Sequence, residues 1–421
     1  MFATLPLQHL PIGAKLGASI FDERQTKLLG AGIEITEHLL ETLSRRNVAS
    51  VIVGEQDLAR VMAYKPQGKA RTTAADRQGI QVNPESDVCR QLDRIGIGIG
   101  VARIESSANP FSERIRPARH ESYDRDCLNF LADQRERHVA QVNEVAEACA
   151  SGDSSGVGML HDVLQSSLEE STEDFDAFAC LGGNPFAKPY PTRHSVHTSM
   201  VATSIGTALG LDEKQLLDLG IGCLIHDIGM LTIDRMTLQA RTVLDAVEFS
   251  EIIKHPFKTF DLIEAHIDQI PAAARMVAYQ MHERADGSGY PRGRTLEQTH
   301  PLARIAAVAD AYTALVSSRP HRHGMLPYYA MEKLIKDVAA GLYDPVAVRG
   351  LLQALGLFPV GSYVELKSGL VGRVIRASTG DYSRPLIEVW KAGSVRGAPA
   401  IVDLARESNL GIVRPLTTLE R

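Results

Sequence analysis

The sequence predicts a mainly α-helical protein with a small α/β module at its N-terminus and a small β-rich region at its C-terminus. Apolar residues repeat at helical spacing through the middle of the chain, beginning near Leu128. Short apolar runs separated by glycine and polar residues are typical of strands, and they are concentrated in residues 1–62 and 357–421. At 421 residues the chain is long enough for two or three such domains.

The N-terminal module, residues 1–62, is predicted to have the order strand–strand–helix–strand. Its helix is expected to begin just after Thr36, whose hydroxyl can cap the first turn. The module contains no cluster of catalytic side chains. We therefore expect a regulatory or dimerising role, with a second copy of the chain or a signalling protein as its partner.

Two further segments are predicted between this module and the centre of the chain. Residues 63–125 are rich in Lys, Arg, Gln, Ser, Asn and Pro, which predicts a linker, although the run Ile95–Gly100 favours a strand. Residues 126–187 show the apolar spacing of two helices. These connecting helices are expected to form a coiled-coil-like relay between domains.

Composition excludes several classes of protein. The net charge of −6 provides no basic field for a nucleic-acid polymer. The five cysteines are scattered and odd in number, which is typical of reduced thiols in a cytoplasmic protein. No stretch approaches the length of an apolar membrane span, and the N-terminus lacks the pattern of a signal peptide. We therefore expect a cytoplasmic location.

The most informative dipeptide is His226-Asp227, which lies in the apolar run Leu224–Ile228. Burying an imidazole beside a carboxylate is costly unless their charge is compensated, and a divalent metal ion would compensate it. The alternative is a core histidine with satisfied hydrogen bonds beside an aspartate that caps a helix. The dipeptide alone leaves both interpretations open.

More candidate ligands occur on both sides of this dipeptide. His194 precedes it, and His255, His282 and Asp310 follow it. Asp310 lies in an alanine-rich apolar stretch, where a carboxylate has no simple structural role. Four imidazoles and two carboxylates suit Fe, Mn, Co, Ni or Zn rather than Mg or Ca.

The order of these residues resembles the HD superfamily of metal-dependent phosphohydrolases. The loop Asp286–Pro291, with the sequence DGSGYP, is similar to that of the HD-GYP family of cyclic di-GMP phosphodiesterases. The resemblance covers residues 188–356 and implies that this segment is a catalytic domain, an HD-type helical bundle that carries the metal site.

The resemblance also implies a ligand set for two divalent transition-metal ions, Fe or Mn. One ion would be held by His194, His226, Asp227 and Asp310, and the other by Asp227, His255 and His282. His226 and Asp227 would be the catalytic pair, with a hydroxide between the ions that attacks phosphorus. The implied reaction is the hydrolysis of cyclic di-GMP to linear pGpG, with GMP as a further product, in bacterial second-messenger signalling.

Substrate contacts follow from the same resemblance. Gly287, Gly289 and Tyr290 would lie at the edge of the nucleotide cleft, and Arg319 and Arg322 would contact phosphate or guanine, which suits a planar guanidinium. The alternatives are a plain turn for the loop and solvated surface positions for the arginines.

Three positions depart from the family pattern. Met230 stands where most members have a lysine, Met281 where they have a further histidine, and Tyr190 where some have a glutamate. These losses favour two metal ions over three. They also motivate a second hypothesis, that the protein is a catalytically weak cyclic di-GMP receptor that signals through its flanking domains. His197, one helical turn from His194, is expected to be structural.

Overall fold

The computed structural model describes residues 2–7, 10–18, 20–21, 27–29, 32, 34–36, 39–40, 43, 50–54, 57, 87–97, 103–117, 125–183, 191–233, 252–318, 323–378, 380–391, 399–407 and 409–417. The fold is mainly helical, as the sequence predicted, and its two small sheets lie towards the ends of the chain. None of the described helices combines the length and the apolar character needed to cross a membrane.

The N-terminal sheet has four strands in the order β1-β4-β2-β3. Their bounds are β1 Phe2–Pro6, β2 Ile20–Phe21, β3 Lys27–Leu29 and β4 Ser50–Gly54. Val51 and Val53 alternate into a small core with Leu5 and Ile20, as expected for strands with one buried face. Strand β1 was not among the predicted strands, and most of the predicted helix lies outside the described residues.

The segment predicted as a linker contains ordered structure that packs on the rest of the chain. Helix α1 spans Asp87–Ile97, so the residues Ile95–Ile97 are helical rather than part of the predicted strand. Its buried residues Val88, Cys89 and Leu92 share one helical face. Further along, Phe111 is buried in the main core. The linker prediction failed here because polar composition concealed a few apolar residues at helical spacing.

Among the described residues, ten further helices form the body of the protein. They are α2 Arg125–Ala150, α3 Met159–Ser171, α4 Phe175–Gly183, α5 Thr192–Ala208, α6 Glu213–Ile225, α7 His255–Ile263, α8 Ala272–Gln280, α9 Pro301–Val316, α10 Pro327–Ala339 and α11 Pro345–Leu355.

Helices α2 and α3 belong to this body. Val142 on α2 and Leu164 on α3 share one hydrophobic core with Ile221 on α6 and Tyr279 on α8. The predicted relay of connecting helices is therefore packed against the helices that carry the candidate ligands, and does not stand apart from them.

Local sequence signals fix the ends of the helices that matter for the site. Asp212 forms a capping box with Gln215 at the start of α6. Helix α9 begins with Pro301, and the His300 side chain accepts a hydrogen bond from the backbone N–H of Leu302. These starts determine where His226 emerges from α6 and on which turn of α9 Asp310 lies.

The C-terminal region is a five-stranded antiparallel sheet in the order β8-β7-β6-β5-β9, in agreement with the predicted β-rich region. The strands are β5 Tyr363–Leu366, β6 Leu370–Arg376, β7 Leu386–Lys391, β8 Ala400–Asp403 and β9 Ile412–Leu416. The ring of Phe358 stacks on that of Tyr328 in α10 at 4.9 Å, which ties the sheet to the helical body.

Candidate metal centre

The structure brings all six side chains predicted as ligands into one buried cluster, the His/Asp centre. Each of them is 7% exposed or less. Helix ends supply most of the cluster: α6 ends just before His226 and Asp227, α7 begins at His255, and His282 follows the end of α8. His194 also lies near a helix end, in the first turn of α5, whereas Asp310 lies in the middle of α9.

One side of the centre is organised around Asp310. Its Oδ1 lies 2.8 Å from Nε2 of His194, and its Oδ2 lies 3.4 Å from Nδ1 of His282. One carboxylate therefore contacts two imidazoles that come from different helices.

The other side is organised around Asp227. Its Oδ1 lies 3.2 Å from Nε2 of His226 and 3.3 Å from Nε2 of His255. The Nε2 atoms of His255 and His282 are 3.0 Å apart, so His282 connects the two sides.

Two groups of three side chains have ligand atoms close enough to share one ion. They are His194, His226 and Asp310, and His226, Asp227 and His282, with atoms within 4.8 Å of one another in each group. The residue common to both groups is His226, whereas the resemblance implies Asp227 as the bridge.

The donor atoms fit a metal ion. His226 Nδ1 donates to the carbonyl of Cys223 at 2.7 Å, and His255 Nδ1 donates to the carbonyl of Ile252 at 2.8 Å. When Nδ1 carries the proton, the Nε2 lone pair is left for a ligand. His226 Nε2 is buried and has no hydrogen-bond partner among the described residues. Nε2 lone pairs on His255 and His282, 3.0 Å apart, would repel each other unless a proton or another cation lay close by.

The charges of the centre require a cation. Among the described residues, the ion-pair partners of Asp227 and Asp310 are histidines. Burial opposes ionisation of Asp227, but the neighbouring His226 outweighs it and holds the pKa of Asp227 well below its usual value. Burial also opposes the charged form of His226, and the charge of Asp227 outweighs this, so that the pKa of His226 rises to about 9. A proton on His226 therefore occupies the place that a metal ion would take.

The pKa of His255 is shifted in the opposite direction to that of His226. Burial, with the adjacent His282, lowers the pKa of His255 to about 3. The ring is therefore neutral near pH 7, which is the form that binds a metal.

The loop at residues 286–294, here called the GYP loop, lies directly against the centre. The ring of Tyr290 stacks on that of His282 with a centroid separation of 4.9 Å and an interplanar angle of 21°. At Gly289 a Cβ atom would lie 2.4 Å from the backbone nitrogen of Arg284 and 2.5 Å from the Cα of Glu283, so only glycine allows this approach. Gly287 has φ +79°, which also favours glycine. Gly289 thus lets the loop pack on the segment that carries His282, and Gly287 allows the turn within the loop.

The carboxylate of Glu283 holds the same loop through its backbone. Its carboxylate accepts hydrogen bonds from the backbone N–H groups of Arg292, at 2.8 Å, and Arg294, at 2.9 Å. The side chain is 3% exposed, and burial raises its pKa. The residue next to the ligand His282 is therefore a support for the loop.

The remaining predicted positions divide into two groups. Arg319, Arg322 and Tyr190 lie outside the described residues. Met230 is 4% exposed, and Met281 is fully buried in the main hydrophobic core. Neither belongs to the groups of ligand atoms described above, as expected of a soft thioether among hard divalent ions.

His197 lies outside the His/Asp centre although it is one turn from His194. Its Nδ1 donates to the carbonyl of Gly182 at 2.9 Å, and burial lowers its pKa to about 3. Its Nε2, like that of His226, is buried without a hydrogen-bond partner among the described residues, but His197 belongs to neither group of ligand atoms, which is in keeping with a structural role.

Comparisons with known proteins agree with this geometry. Residues 184–346 match the family described as HD domain. The chain is 32% identical over 219 residues to a cyclic di-GMP phosphodiesterase of Pseudomonas aeruginosa, a match that covers 52% of each chain. It is also 32% identical over 155 residues to the cyclic di-GMP phosphodiesterase response regulator RpfG of Xanthomonas campestris, which covers 37% of this chain and 41% of the relative.

A third relative is named for a different cyclic dinucleotide. The chain is 29% identical over 178 residues to a 3'3'-cGAMP-specific phosphodiesterase of Vibrio cholerae, a match that covers 42% of this chain and 38% of the relative. In these three comparisons the chain spans 38% to 52% of the length of the relatives it matches.

Proposed function

We propose that this chain, whose residues 184–346 match the HD domain family, is a metal-dependent phosphodiesterase that hydrolyses cyclic di-GMP to linear pGpG, with GMP as a further product. The observation that carries the proposal is the His/Asp centre, where six buried histidine and aspartate side chains lie in contact with one another. The relatives named as cyclic di-GMP phosphodiesterases support the choice of substrate.

The centre would hold two divalent transition-metal ions, Fe or Mn, because mixed imidazole and carboxylate ligands suit them. We assign His194, His226, Asp227 and Asp310 to one ion, and Asp227, His255 and His282 to the other. When bound, such ions would supply positive charge for the phosphoryl oxygens and lower the pKa of a bound water molecule.

The chain itself supplies orientation. The carbonyl groups of Cys223 and Ile252 fix which nitrogen of His226 and of His255 faces the centre. Tyr290, stacked on His282, presents a ring beside the centre on which a base can pack. We assign Gly287, Gly289 and Tyr290 to the nucleotide-binding edge, and Arg319 and Arg322 to the phosphate or guanine.

A receptor that binds cyclic di-GMP without rapid turnover is the second candidate function. It is favoured by the two methionines, since Met230 provides no cation and Met281 no imidazole, and both are buried away from solvent. Such a receptor would keep the metal ions and the loop but hydrolyse slowly.

One experiment on the full chain separates the candidates. The protein is expressed anaerobically with added Fe or Mn, its metal content is measured, and the hydrolysis of cyclic di-GMP and of 3'3'-cGAMP is followed by chromatography. We expect about two ions per chain and production of pGpG that stops when a chelator is added. Tight binding of cyclic di-GMP without hydrolysis would establish the receptor, and absence of metal would refute both candidates.

A further inference from the structure

Helix α1 carries a carboxylate that contacts the GYP loop. Oδ2 of Asp93 lies 2.6 Å from Nη2 of Arg292, and its Oδ1 lies 2.8 Å from Nη2 of Arg294. The hydroxyl of Tyr279 donates to the same carboxylate at 3.1 Å. Asp93 lies outside residues 184–346, the segment that matches the HD domain family.

Apolar contacts hold α1 in this position. Val88, Cys89 and Leu92 are buried in the same core as Tyr279 of α8. Because the buried face of α1 is short, the helix depends on the body for its position, and Asp93 lies beside that face with 24% of its side chain exposed.

The GYP loop is therefore held from two sides. On one side Glu283 accepts from the backbone of Arg292 and Arg294, and on the other Asp93 pairs with their side chains. The Arg292 guanidinium also lies over the ring of Phe257, 4.9 Å from its centroid. Tyr290, two residues before Arg292 in the same loop, stacks on His282.

We propose that Asp93 is a positioning residue for the GYP loop. By pairing with Arg292 and Arg294 it keeps Tyr290 against His282, and it thereby sets the affinity of the site for a nucleotide. Since α1 precedes the HD domain in the chain, a displacement of α1 would change substrate affinity without changing a metal ligand. The role in substrate affinity rests on the proposed function, whereas the role in loop order does not.

The test compares Asp93→Asn, which removes the charge and keeps the shape, with Asp93→Glu, which restores the charge. Gln91→Ala, an exposed position on the same helix, is the matched control. The measurements are KM and kcat for cyclic di-GMP, hydrogen exchange of the peptide covering residues 286–294, metal content and melting temperature, all on the full chain loaded with Mn.

We expect Asp93→Asn to raise KM about tenfold, as the loss of two charge pairs implies. Its kcat should stay within about twofold of wild type, because the metal ligands are untouched. Exchange in the loop should become faster while exchange in α8 stays as in wild type. Asp93→Glu should recover most of the affinity, and Gln91→Ala should behave as wild type.

Unchanged exchange in the loop with unchanged KM would overturn the proposal. Faster exchange in the loop and in α8 alike, with a lower melting temperature, would also overturn it, because Asp93 would then only stabilise the fold. If the wild type hydrolyses no cyclic dinucleotide, the proposed function fails. The exchange of residues 286–294 in the three variants still decides whether Asp93 holds the loop.

Discussion

Two buried clusters of carboxylates in this molecule neutralise their charge in different ways. In the His/Asp centre the partners of Asp227 and Asp310 are imidazoles. In the second cluster, here called the sheet joint, Arg376 of β6 pairs with Asp174 and Asp176 at the start of α4. All three residues of the joint are buried or nearly so, and they link the C-terminal sheet to the helical body.

The difference shows what separates a structural ion pair from a metal centre. A guanidinium carries a permanent charge, so the joint is compensated by the chain itself. Burial raises the pKa of Asp176 to about 6 in spite of Arg376, so this carboxyl can also take up a proton. Imidazoles carry no fixed charge, and one of them, His255, is kept neutral. The centre therefore depends on a proton or a metal ion from outside.

The largest expected effect is at Asp227. Asp227→Asn should remove metal from the centre and lower turnover more than ~100-fold, since even the loss of an outer hydrogen bond to a ligand commonly costs 10–100-fold in metal affinity. The metal content is measured by elemental analysis and turnover by release of pGpG. Asp174→Asn in the joint is the matched control and should leave both unchanged. Equal loss of metal in the two variants would contradict the distinction between the clusters.

The second effect is on stability and concerns Arg376. Arg376→Met should lower the free energy of unfolding by about 3–5 kcal/mol, because it leaves buried carboxylates without their partner. Metal content per folded chain should not change. Chemical denaturation at neutral pH, followed through Trp390 fluorescence, measures the loss.

The pH dependence of this variant sharpens the same prediction. Burial raises the pKa of Asp176 from 3.8, its ordinary value in the unfolded chain, to about 6 in the folded protein. The contribution of this carboxyl to stability is therefore fully present below pH 3.8 and is lost as the pH rises through about 6. Without Arg376 the pKa should rise further. The destabilisation by Arg376→Met should therefore be smaller near pH 5 than near pH 8, and a larger loss at the acid end would show that Asp176 is not the group responsible.

The smallest effect is expected at Met281. Met281→Leu conserves volume in the main core and should cost less than ~1.5 kcal/mol of stability. Metal content and turnover should stay within about twofold of wild type, because the thioether is not a ligand. A loss of one metal ion in this variant would mean that Met281 takes part in the centre, contrary to its position in the hydrophobic core.

The sequence by itself determined the helical character of the body and the six side chains of the His/Asp centre. His226 and Asp227 lie next to each other in an apolar run, and Asp310 lies in an alanine-rich one, so the cost of burying them could be inferred locally. The β-rich character of the C-terminal region was also predictable, because alternation of apolar residues is a local property.

Tertiary structure alone decided how these residues are supported. Backbone carbonyl groups orient His226 and His255, and His226 belongs to both groups of ligand atoms. Both features depend on where the helices end and how they pack. Asp93 is 201 residues from Arg294 in the sequence, and its segment has the composition of a linker. Its buried neighbours on α1 acquire a role only against Tyr279. The cost of burying a polar side chain can be inferred from its neighbours in the sequence, whereas a contact between distant segments is set by the packing of the whole chain.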